Sequence, residues 1–261
     1  MLFSTLEQDS VQYSGGIEVV VDTNEPRLVE ESNKLIQLLG ASPPNPEHAV
    51  YFGKRGIELR ASNKINHKGQ RVDFSTIDRR IGAGNLSKNQ PLPKSIGAHT
   101  TLVDATAGFG FDAIRLVLMG YKVVAVEQSP IIAAMLRDGL WRAEKDVELS
   151  KAIGGCLSLA ESNSVQYLQS ASSSEVVYID PMFPPKRKKS ALPPGHIQAL
   201  QAVVGYDKPN QTQLLFETAL KTATKRVVVK RPLHAPQLGP NPVAIHAGKL
   251  VRYEVYKPTG V

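Results

Sequence analysis

The stretch "TTLVDATAGFGFDAIRLVLMGYKVVAVEQ", Thr100–Gln128, decides the fold class of this chain. It opens with an apolar run that ends on Asp104, and it passes through a glycine loop into a helical pattern. It closes with a second apolar run that ends on Glu127. Continuously apolar strands separated by a helix are typical of a parallel sheet covered on both faces. The stretch therefore predicts a β-α-β unit that binds its ligand at the carboxyl ends of its strands.

The same alternation of strands and helices continues to the end of the chain. Further strands are predicted in "GCLSLAE", "VVYID" and "KRVVVKR", and further helices in "SPIIAAMLRDGLWRA", "SVQYLQS" and "NQTQLLFETALKTA". The last segments, "VAIHAG" and "KLVRYEVYK", suggest a closing antiparallel pair. Residues 96–261 are therefore expected to form one α/β domain around a mostly parallel sheet.

Residues 1–95 have a different sequence pattern, which predicts a small N-terminal α+β domain. Short β-type runs, "IEVVVD", "AVYFG", "GIELR" and "RVDFS", surround one helical segment, "EPRLVEESNKLIQLLG". That helix is expected to stop at Gly40. The following segment, "RRIGAGNLSKNQPLPKSIG", is rich in Gly, Lys, Asn and Pro, and we expect a basic linker there.

Composition narrows the class of protein. The 261 residues carry 31 Lys and Arg against 24 Asp and Glu, a net charge of +7. This balance favours a polyanionic partner, although a merely solvated basic surface is the alternative. No apolar run reaches the length of a membrane span and no secretory signal is visible, so we expect a cytoplasmic protein. A single cysteine, Cys156, and histidines without ligand spacing predict neither a disulfide nor a metal site.

The glycine loop and the second acidic strand end together predict a nucleoside site. Gly108 and Gly110 permit positive φ and a close approach of the backbone to a ligand. Glu127 follows at about the 20-residue distance at which an acid holds ribose hydroxyls. The third glycine of the dinucleotide fingerprint is missing, which counts against the alternative of a nicotinamide-dependent oxidoreductase.

Two motifs carry a resemblance to a known class of enzymes. "VDATAGFGFDA" resembles motif I of the class I S-adenosylmethionine-dependent methyltransferases, and "VVAVEQ" resembles their acidic strand end. "DPMF", after the strand "VVYID", resembles the signature of members that methylate exocyclic amino groups of bases. Such an amine is a poor nucleophile, so a carboxylate at Asp180 would stabilise the positive charge that develops on it. Phe183 offers a flat face on which a base can stack.

Met182 departs from the usual second proline, and this departure narrows the family. "VVYIDPMFPPKRKKSAL", "VEQSPIIAAMLRDGL" and "ATKRVVVKRPLHAP" are similar to the ribosomal RNA small subunit methyltransferase J family over most of residues 71–261. The resemblance implies a class I, Rossmann-like fold with a seven-stranded, mostly parallel sheet and helices on both faces. It also implies methyl transfer from S-adenosylmethionine to N2 of a guanine in 16S ribosomal RNA, supplied as RNA or as the 30S subunit.

The motifs and the resemblance together give the expected site residues. Cofactor binding falls on Asp104, Gly108, Gly110, Phe111, Asp112, Glu127, Gln128, Asn163, Ser164 and Asp180. Catalysis falls on Asp180 and Phe183, and RNA binding on Arg79, Arg80, Lys186, Arg187, Lys188 and Lys189. Two further alternatives stay open: an adenine-N6 methyltransferase acting on DNA or RNA, and a non-catalytic RNA-binding assembly factor that retains the cofactor pocket.

Overall fold

The computed structural model describes residues 16–80, 82, 84–182 and 195–259. The strands are β1 (Ile17–Val21), β2 (His48–Gly53), β3 (Gly56–Ala61), β4 (Thr101–Asp104), β5 (Lys122–Glu127), β6 (Leu157–Glu161), β7 (Val176–Ile179), β8 (Arg226–Pro232), β9 (Ala244–Ala247) and β10 (Val251–Tyr256). The helices are α1 (Pro26–Leu39), α2 (Pro91–Ile96), α3 (Phe111–Leu118), α4 (Pro130–Ala143), α5 (Val147–Ile153), α6 (Ser164–Ser170), α7 (Gly195–Val204) and α8 (Pro209–Thr222).

The N-terminal part forms a three-stranded sheet in the order β1-β2-β3. Helix α1 connects β1 to β2, which are parallel, and a tight turn connects β2 to β3, which are antiparallel. Gly56 in that turn has a φ of 95°, which an L-residue with a side chain rarely adopts. Helix α1 ends before Gly40, whose φ of 75° breaks the helical backbone. The predicted helix stop is thus confirmed.

The larger sheet has seven strands in the order β6-β5-β4-β7-β8-β10-β9. The first five are mutually parallel, while β10 runs antiparallel to both β8 and β9. The predicted seven-stranded, mostly parallel sheet with a closing antiparallel pair is confirmed. From β4 the chain builds outward in one direction to β6 and then returns to add β7 on the other side. This reversal creates a crevice between β4 and β7, where such sheets bind ligands.

Side chains of the central strands alternate between two apolar layers. Tyr178 and Val228 belong to the layer formed with α2 and α3. Val177 and Val229, their neighbours in the chain, belong to the layer formed with α6 and α8. Because consecutive strand residues point to opposite faces, a strand covered on both sides is apolar throughout. The predicted helices on both faces are confirmed.

Two local expectations were wrong. "RVDFS" contains no strand, because the Asp73 carboxylate accepts a hydrogen bond from the Ser75 amide and bends the chain into the 3-10 turn Phe74–Thr76. The expected linker contains a short helix, α2, whose Leu92 and Ile96 are buried against the sheet. Helices α5 and α7 were not predicted. No helix in the described ranges is both long and apolar enough to cross a membrane.

Packing links the two sheets through α4. Phe52 and Ile57 of the small sheet lie in one apolar cluster with Ile132 and Met135 of α4. This contact joins the parts on either side of the expected boundary between residues 95 and 96, and that boundary stays a prediction.

A buried carboxylate completes the contact. Asp138 of α4 is fully buried and accepts hydrogen bonds from Arg27 (2.7 Å), from the Ile57 main-chain N–H (3.1 Å) and from Arg142 (3.1 Å). A buried charge is tolerated only when its partners satisfy it. Asp138 therefore ties α1 and β3 to the helix that covers the larger sheet.

We predict that Asp138→Ala lowers the free energy of unfolding by about 3–5 kcal/mol, because two arginines lose their buried partner. Urea denaturation followed by circular dichroism measures the change. The control is Glu30→Ala, which removes an exposed ion pair with Lys34 and should change little. Equal effects of the two substitutions would contradict the role assigned to Asp138.

Candidate active site

Four parallel strands end at the same edge of the large sheet and bring their polar termini together. β4 ends at Asp104, β5 ends at Glu127, β7 is followed by Asp180, and β8 carries Lys230 near its end. The apolar strands are held in register by main-chain hydrogen bonds, so side chains at matching ends become neighbours. The predicted site residues of the described chain lie mostly along this carboxyl edge.

The glycine loop turns sharply from β4 into α3. Gly108 and Gly110 have φ values of 54° and 75°, both in the left-handed region. A Cβ on Gly110 would lie 2.7 Å from a methyl group of Leu136, so packing excludes a side chain there as well. The Thr106 amide donates to the Asp104 carboxylate at 3.2 Å, which holds the start of the loop. Backbone conformation therefore favours glycine at both positions, and packing requires it at Gly110.

Glu127 fixes the other side of this loop. Its two carboxylate oxygens accept hydrogen bonds from the main-chain N–H groups of Gly108 (2.9 Å) and Ser129 (2.7 Å). Burial raises the pKa of Glu127 to about 7, although these hydrogen bonds favour the charged form. The predicted ribose-binding acid thus lies directly against the predicted cofactor loop.

The end of β6 joins the same edge through hydrogen bonds. Asn163 caps α6 with its side-chain oxygen and donates from its amide nitrogen to Gln128 at 3.1 Å. Ser164 donates its hydroxyl to the carbonyl oxygen of Ala105, at the start of the glycine loop. Three predicted residues from two strand ends, Gln128 after β5 and Asn163 and Ser164 after β6, therefore lie beside the glycine loop.

Phe111 lies on the other side of the loop, at the first position of α3. Its ring centroid is 5.5 Å from that of Phe74 and 5.7 Å from that of His196 in α7. Burial, together with the positive charges of Arg115 and Lys230, lowers the pKa of His196. Phe111 thus contributes an apolar aromatic wall to the site and no charge.

Two aspartates converge on one lysine at the centre of the edge. The Nζ atom of Lys230 lies 2.8 Å from Asp180 Oδ2 and 3.2 Å from Asp112 Oδ2. The Tyr178 hydroxyl donates to the same Asp112 oxygen at 3.0 Å. Tyr178 lies on β7 and Asp180 directly follows that strand, two residues later, so both point to the α3 face, where Asp112 lies.

The charged groups in this cluster change one another's pKa values. Burial opposes the charge on Lys230, but Asp180 and Asp112 outweigh it and raise the pKa of Lys230. Burial raises the pKa of Asp180, and Lys230 partly offsets that effect. Asp112 is the opposite case: its pKa is lowered because Lys230 and Arg115 overcome its burial. Burial and the charge of Asp112 raise the pKa of Asp104 to about 8.

The main chain of the "DPM" segment is held at two points. The Asp180 amide donates to the Thr106 hydroxyl at 2.6 Å, which ties this segment to the glycine loop. Met182 and Asp207 bond reciprocally: the Met182 amide donates to the Asp207 carboxylate at 2.6 Å, and the Asp207 amide donates to the Met182 carbonyl at 3.1 Å. Met182 therefore lacks the rigid ring of a proline, but its main chain is held in place by two hydrogen bonds to Asp207.

Several of these residues were not singled out from the sequence. Asp207 lies in a loop with no motif, and Thr106 and Tyr178 had no assigned role. Lys230 is one of the cations that flank the apolar centre of the predicted strand "KRVVVKR", and the sequence alone assigns it no specific role. Its signal was present, however, because it follows an apolar strand predicted beside the "VVYID" strand. An ionisable residue at that position projects from the ligand-binding edge.

The predicted RNA-binding residues divide into two groups. Lys186, Arg187, Lys188 and Lys189 lie outside the described residues, as does Phe183, which is predicted to be catalytic. Arg79 pairs with Asp146 (2.7 Å) and Glu148 (3.3 Å), and Arg80 pairs with Asp78. A phosphate at Arg79 or Arg80 would have to compete with these carboxylates, and the RNA-binding role of both residues stays a prediction.

The chemistry of the edge fits S-adenosylmethionine. That molecule has ribose hydroxyls, which need acceptors such as Glu127, and it has an ammonium and a sulfonium group, which favour nearby carboxylates such as Asp104, Asp112 and Asp180. Within the described ranges, no group of three or more His, Cys, Asp or Glu residues is arranged to hold a metal ion.

Comparisons with known proteins agree with this geometry. The family model described as "Putative SAM-dependent methyltransferase" matches residues 34–258. The ribosomal RNA small subunit methyltransferase J of Shewanella piezotolerans is 38% identical over 224 residues, covering 80% of each chain. The protein of the same name from Coxiella burnetii is 34% identical over 252 residues, covering 91% of this chain and 96% of that one.

A solved structure extends the similarity to the fold. The S-adenosylmethionine-dependent methyltransferase NGO1261 of Neisseria gonorrhoeae superposes with a TM-score of 0.70 at 27% identity. The match covers 94% of this chain and 97% of that one, so it includes the N-terminal sheet. From its motifs, its fold and these relatives, the chain belongs to the ribosomal RNA small subunit methyltransferase J family of S-adenosylmethionine-dependent methyltransferases.

Proposed function

We propose that this protein transfers a methyl group from S-adenosylmethionine to the exocyclic N2 of a guanine in 16S ribosomal RNA, in the cytoplasm. The observation that carries the proposal is the position of Asp180. It ends a buried strand beside the glycine loop and is held there by Lys230 and Thr106. The substrate is the small-subunit RNA, free or within the 30S subunit.

The chain's own residues supply binding, orientation and charge stabilisation. S-adenosylmethionine carries an electrophilic methyl group on a sulfonium, so the reaction depends mainly on positioning the amine. The Asp180 carboxylate would accept a hydrogen bond from the guanine N2 amine and stabilise the positive charge that forms there. Phe183 would stack on the base after it leaves its helix. The product nitrogen then loses its proton to Asp180 or to water.

Lys230 acts in this proposal as a positioning residue. Asp104, Asp112 and Asp180 would repel one another at this crowded edge if all were charged. The Lys230 ammonium lies between Asp112 and Asp180, so it lets Asp180 stay ionised and holds its side chain in one orientation. An ionised, fixed carboxylate is a better acceptor for the amine than a protonated or mobile one.

The first prediction of the proposal concerns Asp180. Asp180→Ala should lower kcat by at least about 10²-fold, because it removes the acceptor for the developing charge. Asp180→Asn should retain part of the activity, since the amide oxygen can still accept a hydrogen bond. Transfer of labelled methyl groups to small subunits from cells lacking the enzyme measures both variants.

The control for Asp180 is Glu217→Ala, which removes an exposed carboxylate from α8. It should leave kcat unchanged, and thermal denaturation should show all three variants folded. A folded Asp180→Ala protein with undiminished kcat would contradict the role proposed for Asp180.

The second prediction concerns the pH dependence of the reaction. Lys230 lowers the pKa of Asp180, so Lys230→Met should raise it and leave Asp180 protonated at higher pH. The acidic limb of the plot of log kcat against pH should therefore move to higher pH, and kcat should fall about 10²-fold at neutral pH. Lys230→Arg should keep the limb near its original position.

Lys122→Met is the control for Lys230, because it removes an exposed lysine from the start of β5, at the opposite edge of the same sheet. This variant should change neither kcat nor the position of the acidic limb in the plot of log kcat against pH. If Lys230→Met lowers kcat equally at every pH, then Lys230 has only a structural role and the electrostatic part of the proposal fails.

Identifying the methylated nucleoside distinguishes the proposed guanine-N2 activity from the alternative functions. Small subunits methylated with labelled cofactor are digested to nucleosides and analysed by mass spectrometry. N2-methylguanosine supports the proposal, whereas N6-methyladenosine would assign the protein to the adenine-N6 class. Binding of S-adenosylmethionine without transfer to any ribosomal substrate would support a non-catalytic assembly factor.

A further inference from the structure

A basic groove lies at the amino edge of the large sheet, opposite the candidate active site. Its volume is about 390 Å³. The groove is lined by parts of four elements: the last turn of α2, the start of β8, strand β9 and the end of β10. Five of its ten lining residues are basic, and the other five carry no charge. The basic ones are Lys94, Lys225, Arg226, His246 and Lys257.

The lysines of the groove are available to a ligand. Lys94, Lys225 and Lys257 are exposed, and none of them forms an ion pair within the described part of the chain. Glu175 lies beside this edge, because its main-chain carbonyl accepts hydrogen bonds from the amides of Lys225 and Arg226. Its carboxylate instead accepts hydrogen bonds from the main-chain N–H groups of Thr100 and Thr101, each at 3.0 Å. In the described ranges, Glu175 therefore binds main chain and does not pair with a lysine of the groove.

Arg226 gives the groove a fixed floor. Its guanidinium donates to the carbonyl oxygen of Ser95 at 2.9 Å, at the carboxyl end of α2. A Cβ on Gly97 would lie 2.8 Å from the same guanidinium, so the glycine allows Arg226 to lie flat against the main chain. The helix end, the strand start and the arginine are thus locked together, and the exposed lysines project around them.

The groove is distinct from the active site. Along β8, Arg226 and Lys230 are four residues apart, which corresponds to about 13 Å, and they lie at opposite ends of the strand. A base held at Asp180 cannot therefore bring its own phosphate into the groove. Only a folded RNA that extends around the sheet, or a second segment of a large RNA, can reach both places.

We propose that this groove binds the phosphodiester backbone of the RNA substrate at a segment remote from the methylated base. The inference rests on the proposed function and adds a second contact to it. Unpaired lysines that converge on a concave surface without acids are suited to phosphates, which they hold without reading sequence. The groove would contribute affinity and orientation, whereas the carboxyl edge would perform the chemistry.

The test removes the charge of the groove without touching Arg226. The triple variant Lys94→Gln, Lys225→Gln, Lys257→Gln should reduce the slope of log Kd against log salt for 16S ribosomal RNA by about 2–3, since each phosphate contact contributes about 0.7–0.9. Filter binding at several salt concentrations measures the slope. Its KM for small subunits should rise about tenfold or more, while kcat and the affinity for S-adenosylmethionine should stay unchanged.

A charge-matched control excludes a general effect of net charge. The triple variant Lys34→Gln, Lys64→Gln, Lys151→Gln removes three exposed lysines on other elements. An unchanged slope in the groove variant, or an equal loss in the control, would overturn the proposal. The binding assay needs no catalysis, so it separates failure of the groove from failure of the proposed function, which would abolish methyl transfer by the unmodified protein.

Discussion

The ammonium group of Lys230, placed between Asp180 and Asp112, is the interaction on which the candidate site depends. It joins β8 to β7 and to α3, so three elements meet at one charge. Without it, the half-buried acids would repel one another and lose ionisation. The surrounding apolar strands make this possible, because they hold Asp180 and Lys230 side by side on the face of the sheet that α3 covers.

The two edges of the sheet have opposite electrostatic character. The carboxyl edge brings together Asp104, Asp112, Glu127 and Asp180, of which Asp112 and Asp180 pair with Lys230, and this arrangement suits a cofactor that carries two positive groups. The amino edge presents Lys225 and its neighbours to solvent, and this arrangement suits phosphates. A net charge of +7 therefore conceals a separation of charge that sequence composition alone does not reveal.

Much of the fold could be predicted because it depends on local patterns. Apolar strands and amphipathic helices of the larger sheet follow from hydrophobic periodicity, and Gly108 and Gly110 follow from the sharp turn they must make. The wrong expectations concern two short segments, one bent by a local side chain and one stabilised by tertiary packing. "RVDFS" has strand composition, but the Asp73 side chain competes for the main chain and bends it. Helix α2 forms within a glycine- and proline-rich segment because two of its side chains are buried against the sheet.

The sequence by itself determined the class of sheet, the order of the motifs and the family, because these depend on periodicity and on residue types along the chain. Only the tertiary structure decided which charges meet. Asp112, Asp180 and Lys230 are far apart in sequence, and their contact follows from strand order and from the alternation of side chains across the sheet. The groove around Arg226 arises in the same way, since it forms only where a helix end, two strand ends and an edge strand pack together.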